Sequence, residues 1–551
     1  MATPRDSLRK VTDQWNAFLT EEERLFYQSD YFPFSLGQKG RFALGSWRGL
    51  PPGSRTVQFQ HMVLDNPAYA AWNTQLIPRF RSWKATSPIG SPRLMFHPLP
   101  ISKAPRVILT HFLDFIMNLS LIDIDFQRPY SSRGRLWLGG HNFLREGSEP
   151  NGRSSIQTTS YFGRITHRLS SRWQVQGWYY QAHNDFNLPP ENPLAFTPDQ
   201  LKERVILLGT ALEGSLFSRD TTRVELFTQY LTDTYRENRQ IRRRYQVTVP
   251  GLAVVSTGRQ GKWIWQFQTR ITRPISSGFP FRVLKENENR TLFTLSQKAS
   301  FFQWQITGGA WFHSAFGWRP EGQVAIHAGN RYWAVSAGGY QTYRAQPTPL
   351  RAGTDTIPPF QPQDAATISA VEFSLKLQPL PNTRLAVTAF SGNYQHYPFL
   401  ENSSQWNEKR VANRGIRGNL EISFSHFWFK GDVTLNTNWQ QAFAPQWHGV
   451  FQGGFLFPLF HGALKARGIV TLNYFNNFRS LRFNRFWRYF EPSDTIFSTL
   501  PLADFRLFLS IRTLTLYFVW ENMLSTDYTI VLGGMEYLRL FRLGLRWTLW
   551  N

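Results

Sequence analysis

The 551-residue sequence contains no cysteine, which excludes a disulfide framework and any Cys-ligated metal. It contains no apolar run of the ~20 residues that a membrane-crossing helix needs. Acidic residues are the minority, with 61 Lys+Arg against 37 Asp+Glu and a formal charge of +24. No His-Glu-x-x-His occurs, and the 12 His are scattered without metal-ligand spacing, so no cofactor is expected. No fixed-signature repeat of about 20–50 residues is visible, which argues against a propeller. The chain opens Met1-Ala-Thr-Pro-Arg-Asp6 with no apolar core segment, so no secretory signal is visible. If the protein is exported, the expectation is a processed or re-started form.

What the sequence has in quantity is aromatic side chains and alternation. Aromatic residues make up 16%, with 21 Trp and 47 Phe, yet mean hydropathy is only −0.36. Many aromatics without apolar runs fit a transmembrane barrel, because polar lumen positions dilute every segment. A large soluble β protein with an aromatic, sugar-binding cleft shares part of this signature. The positive charge has three readings: nucleic acid, anionic lipid headgroups, or a basic lumen. Its dispersal through strands and turns argues against a nucleic-acid surface.

The last strand shows the pattern best. Phe541, Leu543, Leu545, Trp547 and Leu549 fall on one face, and Arg542, Gly544, Arg546, Thr548 and Trp550 on the other. A strand apolar on one side and Arg-bearing on the other suits a wall between lipid and water, with Phe541, Trp547 and Trp550 on the strand that closes a barrel. The same period recurs upstream. Ile122, Ile124 and Phe126 oppose Asp123, Asp125 and Gln127; Trp263, Trp265 and Phe267 oppose Gln266, Gln268 and Arg270; Val371, Phe373 and Leu375 oppose Glu372, Ser374 and Lys376. Tight turns at 131–134, 218–220, 258–261 and 379–382 alternate with longer segments at 184–200, 275–290, 346–365 and 476–500. The count is roughly 20 to 22 antiparallel strands, an even number being expected of an all-β transmembrane barrel. Tyr179, Tyr180, Trp520 and Trp547, near strand ends, are expected at headgroup level.

The first part of the chain reads differently. Ser7 can cap a short helix with Leu8, Val11, Trp15, Phe18 and Leu19 on one face. The organisation expected is an N-terminal helical segment over 1–32, a small mixed domain over 33–105, and the barrel over 106–551.

Two stretches resemble the TonB-dependent receptors of Gram-negative outer membranes. The plug domain of that family has a Ser-x-Arg-Gly strand, then a hydrophobic strand running into an Asp-Gly turn and an Asn/Asp-Pro. Here Ser46-Trp-Arg48-Gly49 precedes Val57-Gln-Phe-Gln-His-Met-Val-Leu64-Asp65-Asn66-Pro67, with Gln60-His61 in place of Asp-Gly. The end, Trp520-Glu521-Asn522 through Asp527-Tyr528 and then Phe541 to Trp547, resembles the final hairpin of such receptors and of related Bacteroidetes-type porins. The later plug turns and an energy-coupling box are not recognisable. The resemblance implies a plugged outer-membrane channel for solute uptake, without enzymatic activity. It implies outer-membrane lipid and the barrel-assembly machinery as partners, with a TonB-type energy coupler or other envelope subunits as further candidates and no nucleic acid. A structural subunit of a larger envelope complex is the alternative.

Candidate lumen-facing residues are Gln266, Gln268, Arg270, Lys376, Arg542 and Arg546. If several line a constriction, anionic solutes are favoured; if they pair with acids, as Arg223 and Glu225 would, they merely fill the bore. Arg48 and Asp65 are expected to hold plug strands to the wall or to each other. Ala334-Val-Ser336-Ala-Gly338 has the outline of a nucleophile elbow without its first glycine and reads as strand. Gly37-Gln-Lys-Gly40 reads as a turn rather than a phosphate loop.

Overall fold

In the computed structural model, residues 25, 27–36, 42–76, 83–86, 91–98, 101–114, 118–145, 155–188, 198–215, 220–354, 360, 362, 364–401, 405–526, 530–532 and 539–550 are described. The helix expected over the first residues and the Gly37–Gly40 turn lie outside them. Among the described residues no helix is long and apolar enough to cross a membrane, which says nothing about strands.

The dominant element is a closed antiparallel barrel of 22 strands. It starts with Arg106–Asp114 and ends with Leu540–Trp550, and these two strands pair with each other, Leu543 opposite Leu113 and Trp550 opposite Arg106. Closure leaves no free strand edge, which is what a β wall in hydrocarbon requires. The period-two pattern supplies the two faces. Ile124, Leu226, Ile306, Val371, Phe373 and Leu435 point outward and are 46–61% exposed on the isolated chain. Their neighbours Asp125, Glu225, Thr307, Ser374 and Thr434 point inward and are buried. An apolar side left exposed on the outside, around an inward side on which polar and charged groups are buried beside apolar ones, is inverted relative to a soluble sandwich, so the cleft-bearing soluble protein is set aside.

Two sequence expectations about the wall need correction. Segment 476–500 is not a loop. Leu464–Asn484 and Tyr489–Ile511 are long strands that run through it and meet in a tight turn at Arg485–Arg488. Tyr180 is not at headgroup level either: it and Trp178 face inward and are buried, while Tyr179 is outside. The ring of Trp178 meets Phe59 at 6.0 Å, and the Tyr180 hydroxyl donates to the Leu76 carbonyl at 2.8 Å. Segment 275–290 contributes two short accessory strands, Ile275–Phe279 and Leu284–Lys285.

Inside the ring sit two small sheets from the first hundred residues. Tyr31–Ser35 pairs with Ala43–Trp47, and a four-stranded sheet orders Met62–Val63, Thr56–Phe59, Arg93–Pro98 and Trp83–Thr86. Phe34, Phe42, Phe59, Leu64 and Phe96 in and beside them are almost fully buried, so the apolar core of the molecule fills the lumen.

Candidate functional site

The seam between this inner body and the wall is where charge concentrates. Ser46 is fully buried one residue before the end of its strand, and after Trp47 the chain turns through Arg48 and Gly49, both left-handed with φ of 52° and 74°. A Cβ at Gly49 would sit 2.5 Å from the Asn413 amide nitrogen, so the turn needs glycine for backbone and for space. Asn413 uses that nitrogen to donate to the Arg48 carbonyl at 2.7 Å, and the Gly49 carbonyl accepts from Phe443 N at 2.8 Å. Arg48 reaches Glu372 on the wall at 2.5 Å and Asp30 at 3.4 Å. Asp30 also meets Arg417 at 2.7 Å, and Arg417 holds Asp432 of the next strand at 2.6 Å.

The second motif meets the strand next to that of Glu372 and, through Asn66, a remote strand of the wall. Asp65 accepts from Val57 N at 3.1 Å and pairs with Arg344 of the wall at 2.6 Å. Burial nonetheless pushes the Asp65 carboxyl above its ordinary range, with Arg344 and the Val57 amide pulling against it. Asn66 donates to Glu203 at 2.8 Å and caps its own turn by accepting from Ala68 N at 2.9 Å. Pro67 offers its carbonyl to Thr348 N at 2.9 Å. Tyr69 and Asn73 also donate to Glu203, at 2.6 and 3.0 Å. Burial, and then the charge of Glu203, hold the Tyr69 hydroxyl well above its usual pKa, so it stays a donor. At the missing Asp-Gly, Gln60 turns the chain with φ of 55°, and Arg223 donates to its side-chain oxygen.

The lumen candidates share the inner face but do not line an open bore. Arg270 is buried and pairs with Glu288 at 2.8 Å, and Arg542 pairs with Glu521. Gln266, Gln268 and Arg546 are half-buried on the same side, and Lys376 keeps inward parity but is exposed near the turn after Leu380. Arg223 pairs with Glu225 along one strand at 3.2 Å, not across the lumen, and with Glu213 at 2.8 Å. Two of the candidate cations, Arg270 and Arg542, are thus neutralised by carboxylates. On the closing strand, Phe541 stands opposite Trp520 and Trp547 opposite Leu109.

Sequence reading missed the closure of the long-loop mouth. The tip Arg485–Arg488 reaches the wall roughly half the ring away. Arg488 meets Asp233 at 2.5 Å, Arg243 meets the same carboxylate at 2.8 Å, and Arg485 pairs with Asp199. Arg243 also donates to the Phe486 carbonyl. Phe490 stacks on Phe42 at 6.1 Å, and Trp487 packs on Trp406 at 5.4 Å. The hairpin thus lies over the inner body like a bar. No motif signals it; the one hint is two arginines among aromatics in Arg485-Phe-Trp-Arg488.

A cavity of about 110 Å³ remains beside the Asp65–Ala70 turn. Arg270, Glu288, Trp311, Arg344, Gln346 and Arg351 are among its walls. Trp311 and Tyr343 stack at 6.3 Å and 8°. Glu286 is held down to about 2 by His313 and Arg351, which outweigh its burial. The Gln346 side-chain oxygen is buried without a hydrogen-bond partner among the described residues. Aromatic stacks flanked by balanced charge form a polar, amphipathic chamber. Ser336 does lie 2.9 Å from His327 on the neighbouring strand, but among the described residues no carboxylate bonds the other nitrogen of His327. No group of His, Asp and Glu among the described residues could hold a metal.

No family model matches the chain, and no curated protein matches it by sequence. Solved structures do. The ferric enterobactin receptor of Pseudomonas aeruginosa has a TM-score of 0.76 at 8% identity, covering 95% of each chain. The FrpB iron transporter of Neisseria meningitidis has 0.75 at 9%, covering 96% of each. The siderophore receptor PirA of Acinetobacter baumannii has 0.73 at 8%, covering 95% of each. At these identities what is shared is architecture, and it is that of a TonB-dependent receptor-like barrel.

Proposed function

We propose that this protein takes up solutes across a Gram-negative outer membrane, through a barrel whose lumen is closed by its own N-terminal part. Residues 33–105 act as the plug, with 1–32 as a leading segment and 106–551 as the channel wall. The solutes named for the structural neighbours are siderophores and iron, and the lining of this small chamber suits a polar group with a flat face that stacks. Solute arrives under the Arg485–Arg488 hairpin and rests in the cavity beside Asp65. It passes when the plug shifts off Glu203, Arg344 and Glu372, a movement a TonB-type energy coupler would drive. The observation that carries this reading is a closed, outwardly apolar ring filled by polar-bonded strands of the same chain.

Planar-bilayer recording tests it. Intact protein is expected to conduct little and protein lacking residues 1–105 to conduct in large, steady steps. Absence of conductance in both forms defeats the uptake reading. A second reading, an accessory barrel of an envelope complex, is favoured by the paired charges that seal both the plug seam and the hairpin. Stoichiometric co-purifying partners together with silent bilayers would select it.

A further inference from the structure

The short-turn mouth carries a feature that solute uptake leaves unused. Antiparallel alternation puts the turns after Pro129, Arg168, Gln260, Lys298, Gly329 and Ile511 on one rim. Each of these six turns carries or adjoins an exposed cation: Arg133, Arg172, Lys262, Lys298, Arg331 and Arg512. Beside each stands an exposed apolar side chain, in order Tyr130, Leu169, Trp263, Phe301, Tyr332 and Ile511, between 44% and 63% accessible. None of the six cations has a carboxylate partner among the described residues. The nearby acids are occupied in part, Glu213 by Arg223 at 2.8 Å and Glu421 facing Arg384 at 3.6 Å. Asp220, at the same rim, accepts from Ser215 at 3.3 Å.

Successive turns on one rim lie two strands, or about 10 Å, apart, so the fields merge between the turns after Pro129 and Arg168 and among those after Gln260, Lys298 and Gly329, while the turn after Ile511 stands apart. We propose that this rim binds anionic glycerophospholipid, the cations meeting headgroup phosphates while the adjacent apolar side chains anchor in the acyl boundary. The proposal rests on the membrane reading above. Three points select lipid. The cations are strung around the circumference rather than gathered in a patch, so no single acidic protein face would meet them together. Tyr130, Leu169, Trp263 and Ile511 continue the outward parity of their strands and so prolong the lipid-facing side, and Phe301 and Tyr332 are exposed in their turns. A Lys or Arg followed by a ring is also the pairing suited to the headgroup level.

The test uses full-length protein in nanodiscs of phosphatidylcholine containing a minority of phosphatidylglycerol. Lipid retained after transfer to detergent is read by native mass spectrometry. Wild type is expected to hold phosphatidylglycerol in preference to phosphatidylcholine. A variant with Arg133→Gln, Arg172→Gln, Lys262→Gln, Lys298→Gln, Arg331→Gln and Arg512→Gln should lose that preference by about tenfold or more. The variant exchanging Lys and Arg at the same six positions should keep it. Heat-modifiable migration checks folding, and the pair Arg133→Gln with Arg512→Gln gives a partial loss if the sixfold variant fails to fold. Equal retention of both lipids by wild type, or undiminished preference in the Gln variants, overturns the proposal. So does retention of lipid A phosphates but not phosphatidylglycerol, or an acidic protein captured at this rim without lipid preference. A chain that does not enter even pure phosphatidylcholine would instead defeat the membrane reading.

Discussion

The arginines buried under the long-loop hairpin and the cations exposed on the short-turn rim are treated in opposite ways. At the long-loop mouth, Arg243, Arg485, Arg488 and Arg351 are buried, and each has a carboxylate against it. At the short-turn mouth the six cations named above stand exposed, with no carboxylate partner among the described residues, while Arg384 faces Glu421 at 3.6 Å. The difference follows from desolvation. A guanidinium taken out of water needs a counter-charge, whereas one left in water or among headgroups does not. Buried pairs therefore mark where the chain closes on itself, whereas exposed cations, which the long-loop mouth also has at Arg239, Arg282 and Lys285, need no such partner.

The comparison is broken most severely at Asp233, the carboxylate shared by Arg243 and Arg488. Asp233→Ala leaves two buried cations unmatched and should destabilise hairpin closure by about 3–5 kcal/mol. Amide exchange at residues 485–490 should then accelerate by orders of magnitude; unchanged protection would show that aromatic packing alone holds the bar. Next comes the contrast between the outer and inner faces. Val371→Arg, on the lipid side, should cost about 2–4 kcal/mol in folding into bilayers. The same change at neighbouring inward Glu372 would instead lose the Arg48 contact, so release of the plug without loss of the barrel is its expected signature in limited proteolysis.

Asp65→Asn keeps the Val57 amide bond but gives up the charge on Arg344, and a loss of about 1–3 kcal/mol in plug docking is expected by chemical denaturation of the plug signal. At the short-turn mouth Arg133→Gln should leave stability within about 0.5 kcal/mol of wild type, which a denaturation midpoint measures. The smallest expected effect is in pH. Glu286 is depressed to about 2, so its contribution is full above the unfolded value of 4.5 and is lost as pH falls toward 2. Asp65 is raised above 3.8, so its contribution declines as pH rises through that raised value. Acid titration of chamber tryptophan fluorescence in wild type, Glu286→Gln and Asp65→Asn should separate the two slopes; identical curves would refute both assignments.

How much of this was legible depended on what each strand faced. Where the inner face meets water or polar plug groups, as along Gln266 to Arg270 or Glu372 to Ser374, alternation was clean and the faces could be read directly. Where it meets apolar parts of the plug, the signal vanished. In Asp199–Gly214 the inward positions include Leu201, Val205 and Leu207, as greasy as the outward Leu208 and Leu212, so Glu203 gave no sign of being the acceptor for three plug donors. The hairpin through Arg485 was read as a loop for a related reason. Its side chains are sandwiched between plug and wall, and neither side is consistently polar. Arg48, Asp65 and Asn66 stand out only through the resemblance to the receptor plug motif, and the structure puts them at or beside tight turns, where residue choice is restricted locally.

The sequence alone determined the strand, its two faces and the closing of the ring by its last segment, because a period of two and an apolar stripe are local properties. Only the tertiary structure decided which charges neutralise each other. Arg488 and Asp233, or Arg48 and Glu372, lie hundreds of residues apart in the chain. They meet because the barrel brings opposite walls around one body too tightly packed to leave a charge without a partner.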